Sequence, residues 1–228
     1  MQVNARFEHK DYRDAGEKHR LVHGSYMTEG YVVAHTAGDR TLNIEYDAVR
    51  AAFVKIGVNG SGTEPTAYKA PFSMTVDDLS LSFEKGVVEL KTLEWTIRLS
   101  SKMKPGMVSA GSTCAGGKCF LEAKMSPLVN VATLKVAPHG LIGQTYDGDG
   151  IGVIGKTDDY KTHDNAATTS AMGEGAIEGV AADYEMASKF ATHFKYSRYG
   201  LTQAKPRDIS KLVGEKKRLS GNADAGAA

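Results

Sequence analysis

The segment from Thr92 to Ser101, TLEWTIRLSS, alternates apolar and polar side chains with a period of two residues. Its apolar positions are Leu93, Trp95, Ile97 and Leu99, and its polar positions are Glu94, Thr96, Arg98 and Ser100. A two-residue period puts all the apolar side chains on one face of a strand. The segment therefore predicts an antiparallel β-strand with one buried face, in which Trp95 is a core residue.

Other segments with the composition of short strands recur at intervals of about 8–12 residues. They are Tyr26–His35, RTLNIEYD, RAAFVKIGV, PFSMTV, LSLSF, VVEL, CFLEAKM and LVNVATLKV. One stretch has a helical alternative, because apolar side chains also fall at helical spacing at Leu42, Tyr46, Val49 and Phe53. No stretch combines helix caps with a sustained period of about 3.6 residues. The sequence predicts an all-β fold, an antiparallel sandwich or barrel-like structure with few short helices.

The composition supports tight turns and narrows the classes of partner. The 228 residues include 25 glycines and only 6 prolines, and 41% of the chain is hydrophobic, which is enough for a core. The net charge of +1 gives no global field toward nucleic acid, and no apolar run reaches the roughly 18 residues of a membrane span. We therefore expect neither a nucleic-acid partner nor a membrane span.

Three regions are predicted along the chain. Residues 1–25 are polar and form an N-terminal arm or first strand, residues 26–203 form the β-rich domain, and residues 204–228 form a basic, flexible tail. The N-terminus contains no apolar stretch typical of a signal peptide. A chain that begins inside a longer precursor would look the same, so the compartment stays open, an extracellular one included.

Two cysteines, Cys114 and Cys119, are separated by four residues that include Gly116 and Gly117. The glycines allow a chain reversal that would bring the two thiols within bridging range, which favours a disulfide across a hairpin. Two reduced thiols beside a turn are the alternative. A zinc site is disfavoured, because no second Cys or His pair has matching spacing.

The run KVAPHGLIGQTYDGDGIGVIGKTDDY, residues 135–160, carries a family resemblance. A strand that ends in an H-G-[LI]-[LI]-G-Q-[TF] turn resembles the closing motif of von Willebrand factor type D-like domains. It is also similar to the C-terminal domains of inter-alpha-trypsin inhibitor heavy chains and to plant root-cap proteins. The matching residues are His139, Gly140, Leu141, Ile142, Gly143, Gln144 and Thr145. The resemblance implies a non-enzymatic structural or adhesive module, and the two cysteines fit the cysteine-poor members.

The same turn motif has a structural interpretation that needs no family. Gly140 and Gly143 are placed where a chain turns tightly, and Gln144 can bond freed backbone groups. His139, which precedes Gly140, is interpreted as structural. Farther along, the aromatic and basic run HFKYSRYG, residues 193–200, favours a strand with Phe194 and Tyr196 inward over a nucleic-acid surface.

Acidic residues alternate with glycines in YDGDGIGVIGKTDDY. Asp147 and Asp149, with Asp158 farther on, offer the hard oxygen ligands that calcium prefers. Ile151 falls where a helix-loop-helix calcium loop needs an oxygen ligand, so that type of loop is disfavoured. An Asp-Gly turn is the favoured interpretation. A looser calcium site formed by these carboxylates is the alternative, and calcium is the only cofactor that the sequence suggests.

No catalytic set of residues stands out from the sequence, and no G-x-S-x-G motif places a serine for nucleophilic attack. The leading hypothesis is a non-enzymatic β-rich structural or protein-interaction module, similar to a type D-like domain, with an unidentified protein partner. The alternative is an enzyme of unspecified class that acts on carbohydrate, because β-sandwiches often hold paired carboxylates in a groove.

Overall fold

Ten antiparallel strands make up most of the described chain. The computed structural model describes residues 1–13, 21–58, 65–103, 119–130, 134, 138–143 and 180–199. The strands are β1 Gln2–Arg13, β2 Leu21–His35, β3 Thr41–Asp47, β4 Val54–Val58, β5 Thr66–Tyr68, β6 Phe72–Val76, β7 Leu79–Glu84, β8 Val87–Lys91, β9 Trp95–Met103 and β10 Cys119–Pro127. In the described ranges, two short helices follow them, α1 Gly140–Gly143 and a 3-10 helix at Ala181–Tyr184.

The strands form two five-stranded sheets in which each strand pairs with the next one along the chain. The first sheet has the order β1-β2-β3-β4-β5, and the second has the order β10-β9-β8-β7-β6. Antiparallel neighbours can be joined by very short turns, and two residues each connect β6 to β7 and β7 to β8. The predicted all-β class is confirmed, and the arrangement of two sheets is that of a sandwich.

The chain divides into two compact units. The first unit contains residues 1–128 and 186–192, and therefore both sheets. The second unit contains residues 129–185 and 193–228, and includes α1 and the 3-10 helix. The predicted region 1–25 contains β1 and the start of β2, whereas the boundary at residue 204 lies outside the residues that the structure describes.

The core lies between the two sheets. Its buried side chains from the first sheet are Val32, Ala34, Leu42, Ile44, Tyr46, Val54 and Ile56, and those from the second are Val76, Leu79, Leu81, Phe83, Val88, Leu90, Ile97, Leu99 and Leu121. Each fully buried aliphatic or aromatic side chain contributes about 1.5–3 kcal/mol of transfer free energy. This burial is the main force that holds the sheets face to face.

Polar contacts also join the two sheets. The Tyr46 hydroxyl donates to the Gly86 carbonyl at 2.6 Å, and the Tyr46 ring meets the Phe83 ring edge-to-face. The Ser101 hydroxyl donates to the Ala48 carbonyl at 2.5 Å. Burial raises the pKa of Tyr46 to about 12, so this phenol stays neutral and remains a donor.

The turn between β2 and β3 is clamped to the turn between β6 and β7. The guanidinium of Arg40 donates to both carboxylate oxygens of Asp77, at 3.0 Å and 2.5 Å. The Thr36 hydroxyl donates to the same carboxylate, and the Ala37 N–H donates to Asp78 at 2.6 Å. The hydrogen bonds from Arg40 and then Thr36 lower the pKa of Asp77 to about 2.

Strand β9 confirms most of the predicted alternation. Trp95, Ile97 and Leu99 are buried, but Leu93 is 71% exposed. The prediction for Leu93 was wrong because the strand begins only at Trp95. Before it, the chain makes a turn in which the Thr92 hydroxyl accepts from the N–H groups of Glu94 and Trp95.

Two further sequence interpretations are settled by the backbone. The stretch that contains Leu42 and Tyr46 is a strand, and its helical alternative is wrong. Residues 193–199 form turns instead of the predicted strand, with the Lys195 N–H donating to the Asp183 carbonyl at 3.3 Å. Most of the predicted strand LVNVATLKV lies outside the described residues. None of the helices in the described ranges has the length and apolar character needed to cross a membrane.

Candidate functional site

The residues singled out by the sequence are only partly described. Asp147, Asp149, Asp158 and Gln144 lie outside the described residues, so the calcium prediction and that part of the turn stay predictions. Within the described ranges, no group of three or more His, Cys, Asp or Glu side chains is arranged to hold a metal ion. Cys119 is buried and disulfide-bonded. Because Cys114 is not described, its pairing with Cys119 stays a prediction.

The described part of the turn motif belongs to the second unit. Gly140 has a φ of +94°, a conformation that favours glycine, and its N–H donates to Nδ1 of His139 at 2.7 Å. The His139 ring stacks on Tyr196, with the ring centroids 5.1 Å apart. His139 is thus held by its neighbours through its ring and one nitrogen, an environment that suits a structural residue.

A polar cluster lies on the outer face of the first sheet, which is the face turned away from the second sheet. It comprises Glu29, Tyr31, Glu45, Lys55 and Lys189, and we call it the outer-face cluster. Glu45 alternates with the core residues Ile44 and Tyr46 on β3, so its side chain points to the opposite face. A cavity of about 200 Å³ borders the cluster, lined by Glu29, Glu45, Asp47, Arg50, Phe53 and Lys55.

Both glutamates of the cluster form ion pairs with basic side chains. Glu45 accepts from Lys55 at 2.8 Å and from Lys189 at 2.7 Å. Glu29 accepts from Arg6 at 3.0 Å and from the hydroxyl of Tyr31. Burial alone would raise the pKa of Glu45, but the hydrogen bonds from Lys189 and Lys55 outweigh burial and hold the pKa below its usual range. Burial and then the bond to Glu29 raise the pKa of Tyr31.

The cluster anchors the chain segment 186–192 on the outer face. The Asn4 side chain donates to the carbonyls of Lys189 at 3.0 Å and Ala191 at 2.8 Å. The Phe190 ring meets the Tyr31 ring edge-on at 5.8 Å. Together with the ion pair between Lys189 and Glu45, these contacts explain why Glu45 is only 9% exposed. The arrangement fixes a distant part of the chain to β1, β2 and β3.

The edge of the first sheet is a second surface feature, formed by β1 and called here the β1 edge. Among the strands that the structure describes, β1 is the terminal one of its sheet, and it runs for 12 residues. β2 pairs with β3 only from Glu29 to His35. The pairs from Phe7–Met27 to Arg13–Leu21 therefore form a two-stranded ribbon without a third strand among the described residues.

Side chains at the middle of the β1 edge are exposed. Phe7 is 53% exposed, although phenylalanine is among the residue types that are most often buried. Arg6 and Glu8 form an ion pair at 3.5 Å, with their side chains 57% and 52% exposed. The register of the hairpin shifts between Arg6 and Phe7, because Arg6 faces Glu29 whereas Phe7 faces Met27. The extra residue, Thr28, belongs to β2, so β1 itself continues without a bulge.

Sequence reasoning missed both surface features. The region that contains β1 was predicted as an arm or first strand, and its VNARFEH pattern gave no indication of an edge. The outer-face cluster depends on Lys189, which is 144 residues from Glu45. Comparisons of the chain with protein-family models, with curated proteins and with solved structures find no significant match.

Proposed function

We propose that this chain is a non-enzymatic, type D-like protein-interaction module, in which the β1 edge binds an extended segment of a protein partner by strand addition. The observation that carries the proposal is the β1 edge itself. β1 pairs with β2 on one side over its 12 residues, and its other side faces no strand in the described ranges. The resemblance of residues 139–145 to adhesive modules points to the same class of function.

Strand addition has a simple physical basis at such an edge. The outward N–H and C=O groups of an edge strand can pair with the backbone of an incoming strand, which supplies affinity. Exposed side chains beside the edge then supply selectivity. Phe7 provides apolar surface, and Arg6 and Glu8 provide charges of both signs next to it.

The outer-face cluster supports an anchoring role more than acid catalysis. A glycosidase needs one carboxylic acid whose pKa is raised, so that it can protonate the leaving group. The pKa of Glu45 is shifted in the opposite direction by its two lysines. Its ion pair with Lys189 holds segment 186–192 in place, which leaves the β1 edge as the surface better suited to a partner.

A selection from a library of displayed extended peptides tests the proposal. The wild-type chain is expected to enrich peptides that bind with measurable affinity, and Phe7→Lys is expected to weaken that binding at least about tenfold, because a lysine on an edge disfavours strand pairing. Leu93→Lys is the matched control, since Leu93 is also exposed and apolar but lies in a turn. The proposal fails if no peptide is enriched, or if the two variants bind the peptides equally well.

A further inference from the structure

Building on the proposed function, we propose that the strand that fits the β1 edge is the same edge of a second copy of this chain. The two copies of β1 would run antiparallel and pair about a two-fold axis centred on Phe7. The result is a continuous ten-stranded sheet made from the first sheets of both chains. The proposal follows from the symmetry of antiparallel pairing and from the order of charges along β1.

Symmetry limits the registers that are available. A two-fold axis perpendicular to the joined sheet maps each residue onto the same face of the partner strand, and directly opposed residues must share a face. At the axis, one residue must therefore lie directly opposite its own copy on the second chain. We name each possible axis by that residue. An axis through Phe7 places Phe7 opposite Phe7, and it places Arg6 opposite Glu8 at two equivalent positions.

This register joins groups of matching chemistry. Arg6 and Glu8 lie on the same face of β1, since they are two residues apart and form an ion pair within the chain. Across the axis, each would gain an opposite charge on the second copy, and cross-strand pairs of this kind are favourable. The two Phe7 rings would cover one another and remove exposed apolar surface from water.

Neighbouring registers fit less well. An axis through Arg6 places this cation opposite itself, and an axis through Glu8 places this carboxylate opposite itself. Like charges that face each other directly across strands are destabilising. An axis through His9 pairs Glu8 with Lys10, but it places Phe7 opposite Asp11. The axis through Phe7 satisfies the charges and the aromatic ring together.

Because one strand pair buries little surface, the dimer is expected to be weak, with a Kd of roughly 10–100 µM. Charge-reversal variants test the register by sedimentation equilibrium up to several hundred micromolar. R6E places carboxylates opposite each other at both equivalent positions, and E8R places cations there. Each variant alone is expected to dimerise at least about tenfold more weakly than the wild type.

An equimolar mixture of R6E and E8R chains provides the decisive measurement. In the mixed dimer, opposite charges face each other at both positions, so the affinity is expected to return toward the wild-type value. Misfolding cannot explain such a recovery, because the mixture contains the same chains that fail alone. K85E is the matched control, since Lys85 is exposed in the β7–β8 turn, and it is expected to dimerise like the wild type.

Each contrary result has a definite meaning. Self-pairing is overturned if the wild type stays monomeric over the whole concentration range, or if the mixture does not recover. An effect of E8R without an effect of R6E overturns the axis through Phe7 in favour of His9. The peptide selection is read separately: peptides that depend on Phe7 preserve the proposed function even if self-pairing fails.

Discussion

Among individual residues, Glu45 is the one charged residue that is buried in the described part of the chain. Its side chain is 11% exposed, whereas those of its partners Lys55 and Lys189 are 38% and 46% exposed. The lysines can therefore return to water when the carboxylate is removed, but the carboxylate cannot lose its partners without a desolvation cost. Glu45→Gln is expected to lower the free energy of unfolding at pH 7 by about 1–2 kcal/mol, measured by urea titration.

The effect of Glu45→Gln should depend on pH in a defined direction. Because the pKa of Glu45 is lower in the folded chain than in the unfolded chain, its contribution is fully present above the usual glutamate value of about 4.3. It is lost as the pH falls through the lowered value. Glu84→Gln is the control, because Glu84 is 68% exposed. A difference between wild type and E45Q that stays constant in acid would contradict this account.

The sequence predicts the face of β3 on which Glu45 lies, but not that Glu45 is buried. Alternation along β3 assigns Ile44 and Tyr46 to the core and Glu45 to the outer face, as observed. Outer faces are usually wet, so the alternation predicts an exposed glutamate. The burial of Glu45 depends on segment 186–192, which arrives from a distant part of the chain and has no periodic pattern of its own. Local periodicity contains no information about such a long-range contact.

Among the structural elements, the β2–β3 turn and the β6–β7 turn are held together mainly by one carboxylate, that of Asp77. Asp77→Asn keeps a side chain that tolerates the local φ of 53°, but it removes the charge that Arg40 and Thr36 recognise. We expect the thermal midpoint at pH 7 to fall by about 2–4 °C, because charge-assisted bonds to the neighbouring turn are lost. Thermal unfolding followed by circular dichroism measures the change.

The pH dependence of the thermal midpoint tests whether the ionised carboxylate of Asp77 causes this loss of stability. The pKa of Asp77, about 2, lies below the usual value near 3.9, so the stabilisation is complete above the usual value and disappears as the pH falls through about 2. Asp39→Asn is the matched control, since Asp39 also has a positive φ and forms no ion pair in the described part of the chain. If D39N lowers the midpoint as much as D77N, the clamp is not the cause.

The strands themselves were largely predictable, because alternation reports directly on which face is buried. Strand prediction from alternation fails where the contacts of side chains in a turn determine the backbone path. Leu93 continues the apolar series of β9, yet the hydroxyl of Thr92 captures two N–H groups and turns the chain before the strand begins. In residues 193–199, the alternation of Phe194 and Tyr196 reflects packing against Tyr184 in a compact turn instead of a strand.

At the scale of the whole molecule, the sequence predicts an antiparallel sandwich or barrel-like structure but not which strands lie at the edges. An edge is defined by the absence of a neighbour, and no residue pattern along β1 records what lies beside it. The same holds for the contact between the sheets. Gly30 on β2 lies against Leu99 and Leu121 of the second sheet, and a Cβ atom added there would come within 2.9 Å of a Leu121 methyl carbon.

The contact at Gly30 provides a direct test of how the two sheets are layered. Gly30→Ala is expected to lower the free energy of unfolding by about 1–3 kcal/mol, because Leu121 is buried and has little room to move. Leu121→Ala alone should cost about 2–5 kcal/mol by leaving a cavity. The double variant should cost less than the sum by about 1 kcal/mol, since the added methyl group enters the space that the leucine vacates.

Gly57→Ala is the matched control for Gly30→Ala. The nearest atoms to a Cβ added at Gly57 are 3.9 Å away, so no strain is expected. Gly57 lies on β4 of the same sheet, so both substitutions add one methyl group to a strand of similar backbone geometry. Only the approach of the second sheet distinguishes the two sites. Equal costs for G30A and G57A, or strict additivity of G30A with L121A, would mean that the sheets do not pack through this contact, and the face-to-face arrangement would need revision.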